Sequence, residues 1–440
     1  VIFKYEYGFR RGSGLVFAHS TDSVWGMRIA FASFGSLGDL HPLLAMAVAA
    51  QGRGHDVAVA ASPNYEDNVR CAGVEFYPLR PAIPWDPARL AYYFDMRRGP
   101  ERLLREVAFA ELADTHADLR SVAKGADLLV VGELLYTAPI VAAEIGIPWL
   151  NVVLAPTSFL SASDPCVLAP APFLHPLRHL GKWIHQLAYI AGRIQGRMWA
   201  KPYFAFRRSL GLPPGTNPIF DAKHSPYGTL AMFPSFFAKS QPDWPVKTLQ
   251  AGFPFFEQPP LPADRIVADF LSSGEPPVVF TLGSIVAHFE PAFYRAACEA
   301  ALRLNRRAVL LTGSEVPLLD KSNPNVLAVE YARLNEILPR SAAVVHAGGI
   351  GTCAEALRGG IPSVIIPFSF DQPDNAFRMK RLGVAEILSR HSINPDSIRA
   401  KLEMILTDSS FTNRSRHYAA QITPAQTIDA VVDKIESFHV

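Results

Sequence analysis

Short apolar runs recur along the chain, each bounded by turn residues and most followed by a stretch with helical spacing. Residues 28–34 (RIAFASF), 57–61, 74–78, 127–131 and 149–153 are such runs in the first half, and 278–281, 308–312, 326–329, 342–345 and 363–367 in the second. A run that is apolar at every position fits a strand covered on both faces, and strands alternating with helices predict parallel sheets with right-handed crossovers. Helices are expected around 43–51, 64–72 and 291–304. The stretch 241–262 (QPDWPVKTLQAGFPFFEQPPLP) is dense in proline and reads as a linker. The pattern therefore predicts an α/β chain of two doubly wound parallel-sheet domains, at 27–240 and 263–405. A helical tail at 406–440 is expected to cross back onto the first domain. Residues 1–26 match nothing downstream, lack the pattern of a signal peptide, and are set aside as an N-terminal extension outside the fold.

Composition narrows the class. At 440 residues the chain exceeds one ordinary core, in keeping with two domains. A formal net charge of +2 and a pI near 8.3 give no reason to expect a nucleic-acid partner. Apolar content of 49% excludes disorder, while the apolar runs are too short or too interrupted by charge to span a bilayer. Cys71, Cys166, Cys298 and Cys353 are scattered without metal-ligand spacing, so a reducing cytoplasm is expected and a metal site is not. The stretch 156–218 differs from the rest, with proline, phenylalanine and basic residues interleaved. Two readings stay open for it: a helical lid with a solvated face, or a pocket for an apolar molecule that also touches an anionic head group or the inner membrane face.

The chemistry concentrates at 346–375 (HAGGIGTCAEALRGGIPSVIIPFSFDQPDN). A strand, a glycine turn and a helix follow one another there. Helix-start N–H groups lack intrahelical partners and sit at the positive end of the helix dipole, which makes the turn a seat for phosphate. The next strand delivers Asp371, Gln372 and Asn375, whose carboxylate and amide groups suit sugar hydroxyls. A nucleotide sugar fits both halves. The first strand is followed by the similar GSLGDLHP, and Asp39, Glu133 and residues 156–159, all after expected strands, belong on one rim.

The strings HSPYGTLAMFPSFFAKSQPDWP, AGFPFF, VFTLGS, EYARLNEILP, HAGGIGT and FDQPDN resemble the nucleotide-sugar-dependent glycosyltransferases of GT-B fold, with two Rossmann-like domains facing across a cleft. The likeness runs from Met27 to near the C-terminus and looks closest to the rhamnosyltransferases of bacterial rhamnolipid synthesis. Macrolide and sterol glycosyltransferases share the skeleton. The resemblance implies that Ser284, His346, Gly348, Gly349, Gly351 and Thr352 hold the donor diphosphate, and that Asp371 and Gln372, with Asn375, hold the donor sugar. Tyr331 and Ala332 fall in the nucleobase region, where Tyr331 is either a stacking residue or a core tyrosine. Many relatives place a ribose-binding glutamate where Ala354 stands; Glu355 is one residue off, about 100° around a helix, and is not expected to substitute.

By register the resemblance places Asp39 at the position of the family's catalytic base; Asp39 also suits the N-cap of a helix starting at Leu40, and the two roles can coexist. Glu133 and Phe159 are assigned to the acceptor region, and His41 to structure. The expected activity is inverting, metal-independent transfer from a dTDP- or UDP-sugar, with no other cofactor. The favoured reaction moves rhamnose to an apolar hydroxylated acceptor such as a hydroxy fatty acid dimer. The alternatives are a broad-range glycosyltransferase of flavonoid, macrolide or sterol-like aglycones, a sugar-nucleotide epimerase, and a noncatalytic binding subunit.

Overall fold

The computed structural model describes residues 26–82, 86–313 and 323–438. The extension assigned to residues 1–26 lies, but for Gly26, outside the described residues. Two wholly parallel sheets organise the chain. The first contains β1 (Arg28–Ala32), β2 (Asp56–Ala61), β3 (Glu75–Pro78), β4 (Leu128–Gly132), β5 (Trp149–Val153), β6 (Thr229–Ala231) and β7 (Thr248–Gln250), in the order β3-β2-β1-β4-β5-β6-β7. The second contains β8 (Val278–Thr281), β9 (Ala308–Leu311), β10 (Val326–Val329), β11 (Ala343–His346), β12 (Ser363–Ile365) and β13 (Ala385–Ile387), in the order β10-β9-β8-β11-β12-β13.

The continuous apolar runs have a simple cause. Side chains alternate across a strand, so Ile29 and Phe31 enter one core while Ala30 and Ala32 enter another on the opposite face. In the second sheet Val278 and Phe280 serve one core and Val279 the other. β7 pairs with β6 inside the stretch read as a linker, so the first domain extends to Gln250.

Five helices shape the space between the sheets and the surface around it. They are α1 (Leu37–Gly52), α2 (Lys182–Trp199), α3 (Ile350–Arg358), α4 (Gln372–Arg381) and α5 (Pro424–Glu436). Helix α5 belongs to the C-terminal tail but packs on the first domain. Val431, Val432 and Ile435 join the core beneath β1 and α1, and Arg53 holds Asp433 at 2.5 Å and Asp429 at 2.9 Å.

Candidate active site

A cleft of about 540 Å³ separates the domains, walled by the loops that leave the C-terminal ends of β1, β4 and β5 on one side and of β8, β11 and β12 on the other. In open parallel sheets this edge is where ligands collect. Asp39, Glu133, Ser284, Tyr331, Ala332, Gly349, Gly351, Thr352, Asp371 and Gln372 all line it. Two loops some three hundred residues apart in sequence thus meet on one cavity.

On the first-domain wall, α1 starts earlier than its apolar spacing implied, at Leu37. Ser36 is the N-cap, accepting from the N–H of Gly38 at 3.2 Å. Asp39 therefore lies inside the first turn and completes a capping box instead of acting as N-cap. Its Oδ2 accepts from the Ser36 N–H at 2.7 Å and from the Ser36 hydroxyl at 2.9 Å. Burial pushes the Asp39 carboxyl above its ordinary range, and the Ser36 bonds oppose that shift. Beside it, Glu133 accepts from the N–H of Leu154 at 3.1 Å and bonds the Ser158 hydroxyl. Burial raises Glu133, with Lys223 opposing, and it lowers Lys223, whose ammonium donates to the Ser158 carbonyl at 2.5 Å. Lys223 had no signal in its own sequence context. The carbonyl it bonds, that of Ser158, lies far from it in sequence.

On the second-domain wall, Gly349 caps α3 and no side chain caps that helix. A Cβ at Gly349 or Gly351 would meet nothing within 4 Å, so the helix start opens on the cavity. Gly348 has φ +90, and a Cβ there would come within 2.7 Å of Ile365, so this position requires glycine. Asp371 is pushed up to about 7, chiefly by burial and further by the charges of Asp39 and Glu133, against the Asn375 amide. Asp39, Glu133 and Asp371 thus face one cavity, which Glu330 and Glu355 also line. No group of three His, Cys, Asp or Glu side chains among the described residues is placed to hold a metal ion.

Four of the expected site residues stand behind the cleft wall. His346 is wholly buried behind the turn and absent from the cleft wall; its Nδ1 accepts from the Gly348 N–H at 3.1 Å, and burial pulls it down to about 3. This bond ties the imidazole to the turn, and its Nε2 is buried without a partner among the described residues. Gly348 also lies behind the wall. So does Asn375, whose Nδ2 donates to the Gly348 carbonyl at 3.0 Å and to Asp371 at 2.6 Å, tying turn to loop. Phe159 is buried beneath the cleft, stacked on Trp244 with ring centroids 4.2 Å apart. In each case the sequence marks a neighbourhood, but the direction of the side chain depends on tertiary packing.

Three further residues line the cleft. Tyr331 is 40% exposed on the cleft rim with its hydroxyl bonded to Gln258 at 2.9 Å, so the core-tyrosine reading fails. Glu355 lines the cleft next to Ala354, and its Oε2 is buried without a partner among the described residues. Burial pushes it up to about 7. His41 reaches the cleft too, its ring 5.6 Å from that of Phe256, and burial keeps it neutral at about 4. Finally, of the stretch 156–218 only Thr157 and Ser158 line the cleft; Leu90, Tyr93, Phe94, Leu103 and Leu134 contribute to its apolar wall.

Comparison with known proteins agrees with this geometry. Residues 301–438 match the family model described as Erythromycin biosynthesis protein CIII-like, C-terminal domain. The O-mycaminosyltylonolide 6-deoxyallosyltransferase of Streptomyces fradiae is 30% identical over 429 residues, covering 94% of this chain and 97% of that protein. Among solved structures, the kitacinnamycin glycosyltransferase superposes with a TM-score of 0.67 at 22% identity, covering 94% of this chain and 99% of that one. The spinosyn rhamnosyltransferase, solved with thymidine diphosphate, gives 0.63 at 19%, covering 92% and 100%. Two parallel-sheet domains, a cleft at their C-terminal edges and end-to-end similarity to a characterised sugar transferase lead to one conclusion: the chain belongs to the GT-B glycosyltransferases.

Proposed function

We propose that the protein is an inverting, metal-independent glycosyltransferase that moves a deoxyhexose, rhamnose in the favoured case, from a dTDP-linked donor to a hydroxyl of an apolar acceptor. The observation that carries this reading is that Asp39 and the start of α3 line one cavity. The donor diphosphate sits on the N–H groups at Gly349–Thr352, with Ser284 alongside. Asp371 and Gln372 take the sugar hydroxyls, Tyr331 and Ala332 the base, and Glu355 the nucleoside sugar. Asn375, His346 and Gly348 position the turn without touching the donor.

Asp39 takes the acceptor proton as the acceptor oxygen attacks the anomeric carbon. The bond from that carbon to the diphosphate oxygen breaks on the opposite face, its electron pair leaves with the diphosphate, and configuration inverts. Fixed N–H dipoles at the helix start meet the developing charge, a contribution often worth several kcal/mol. Burial makes Asp39 a stronger base than a free carboxylate, while the Ser36 bonds favour its ionised form.

Two acceptor classes have support. The sequence strings favour a hydroxy fatty acid dimer, and the macrolide-acting relative favours a natural-product aglycone. Purified protein assayed with dTDP-rhamnose, other dTDP-deoxyhexoses and UDP-glucose against both classes, with products read by mass spectrometry, separates them. Transfer is expected to persist in the presence of a chelator. Interconversion of the sugar nucleotide with no acceptor product would overturn the transferase mechanism.

A further inference from the structure

Helix α2 points its apolar side outward. Its buried residues are His185, Tyr189 and Gly196; Tyr189 bonds the Ser161 carbonyl at 3.4 Å, and Gly196 packs under Ile219 and Phe220. On the opposite face Trp183, Leu187, Ile190, Ile194 and Met198 are 54–63% exposed. At about 100° and about 1.5 Å per residue, these five fall within an arc of about 80° along a stripe of about 22 Å. Lys182, Arg193 and Arg197 run along one edge of that stripe. Arg193 is paired with Asp221 at 2.5 Å, and Arg197 lies over the Phe204 ring. Phe173 and Leu180, 70% and 64% exposed, precede the helix.

Charge decides what such a face can meet. Residues 165–220 contain seven Lys or Arg and no Asp or Glu. A twofold contact between two copies through α2 would set one predominantly cationic surface against another, with Asp221 beside Arg193 as the nearby acid. An anionic lipid surface complements both features, accepting the apolar stripe at the acyl boundary and the cations at the phosphates. No helix among the described residues is long and apolar enough to cross a membrane, so contact of this kind is peripheral.

We propose that α2 docks the first domain flat onto an anionic bilayer. No α2 residue lines the cleft, so docking is separable from catalysis and does not rest on the acceptor assignment. The test is flotation of the full chain with vesicles of equal parts phosphatidylglycerol and phosphatidylcholine, or of phosphatidylcholine alone. Wild type is expected to float with the anionic vesicles and not with the neutral ones, and salt should weaken the binding. Leu187→Gln combined with Ile190→Gln and Ile194→Gln, and separately Lys182→Gln with Arg197→Gln, should each lower the bound fraction by about tenfold. Melting temperature and dTDP binding should stay unchanged in both. Absence of flotation by wild type, or flotation undiminished in the stripe variant, would overturn the proposal. So would sedimentation showing a wild-type dimer that the stripe variant converts to monomer.

Discussion

At neutral pH Glu355 is held between its two protonation states, because burial pushes its carboxyl from the ordinary 4.5 to about 7. Arg358 opposes the shift from 3.9 Å without cancelling it. Between those two values the folded chain binds more protons than the unfolded one, so stability falls as pH rises through that window and the cost is complete above it. Glu355→Gln should therefore raise stability by roughly 1–3 kcal/mol at about pH 8 and leave it unchanged at about pH 4. Thermal melts across pH check this. The same variant should weaken donor binding in a dTDP-sugar titration, as expected for a group kept for function at a cost to stability. The sequence argument about Glu355 followed the direction of Cβ alone. It did not address whether the side chain reaches the cleft wall, which Glu355 does. Asn375 shows the converse, since its position beside Asp371 was readable and its turn toward Gly348 was not.

At the scale of elements, the start of α1 couples fold to chemistry. Removing the Ser36 hydroxyl removes a cap and one of the two bonds to Asp39 together. Ser36→Ala should cost about 1 kcal/mol of stability. It should also raise the Asp39 pKa, because a bond to the charged form is lost. The acid limb of kcat/KM, which rises with pH as Asp39 ionises, is then expected to move to higher pH; an unmoved limb would separate Asp39 from the titrating base. Strands with four or five continuous apolar residues were legible because burial on both faces leaves a compositional mark. β6, β7 and β13, with three residues each, leave none. Helical character around α2 was legible only as one of two readings for the stretch 156–218. Which face it buried was not, because the partner surface lies at Ser161 and Phe220.

The whole molecule depends on contacts that hold the domains across the cleft. Asp374 and Arg378 on α4, both buried, pair at 2.6 Å, and Arg378 reaches Asp164 of the first domain at 2.7 Å. The N–H of Val167 donates to Asp374 at 2.9 Å. Asp374→Ala leaves a buried guanidinium short of one partner and should cost about 3–5 kcal/mol, read as a lower melting temperature and looser dTDP binding. The two-domain architecture was readable from alternating apolar runs, and the glycine turn and Asp39 from their neighbours. The cross-domain network was not, since it joins residues some two hundred positions apart with no local pattern. The central claim is that the loop holding Asp39 and the start of α3 serve one reaction. Asp39→Asn, measured for both single-turnover transfer and dTDP affinity, tests it most directly. Transfer should fall by about 10²–10⁴ with dTDP affinity unchanged, whereas transfer at the wild-type rate would contradict the account.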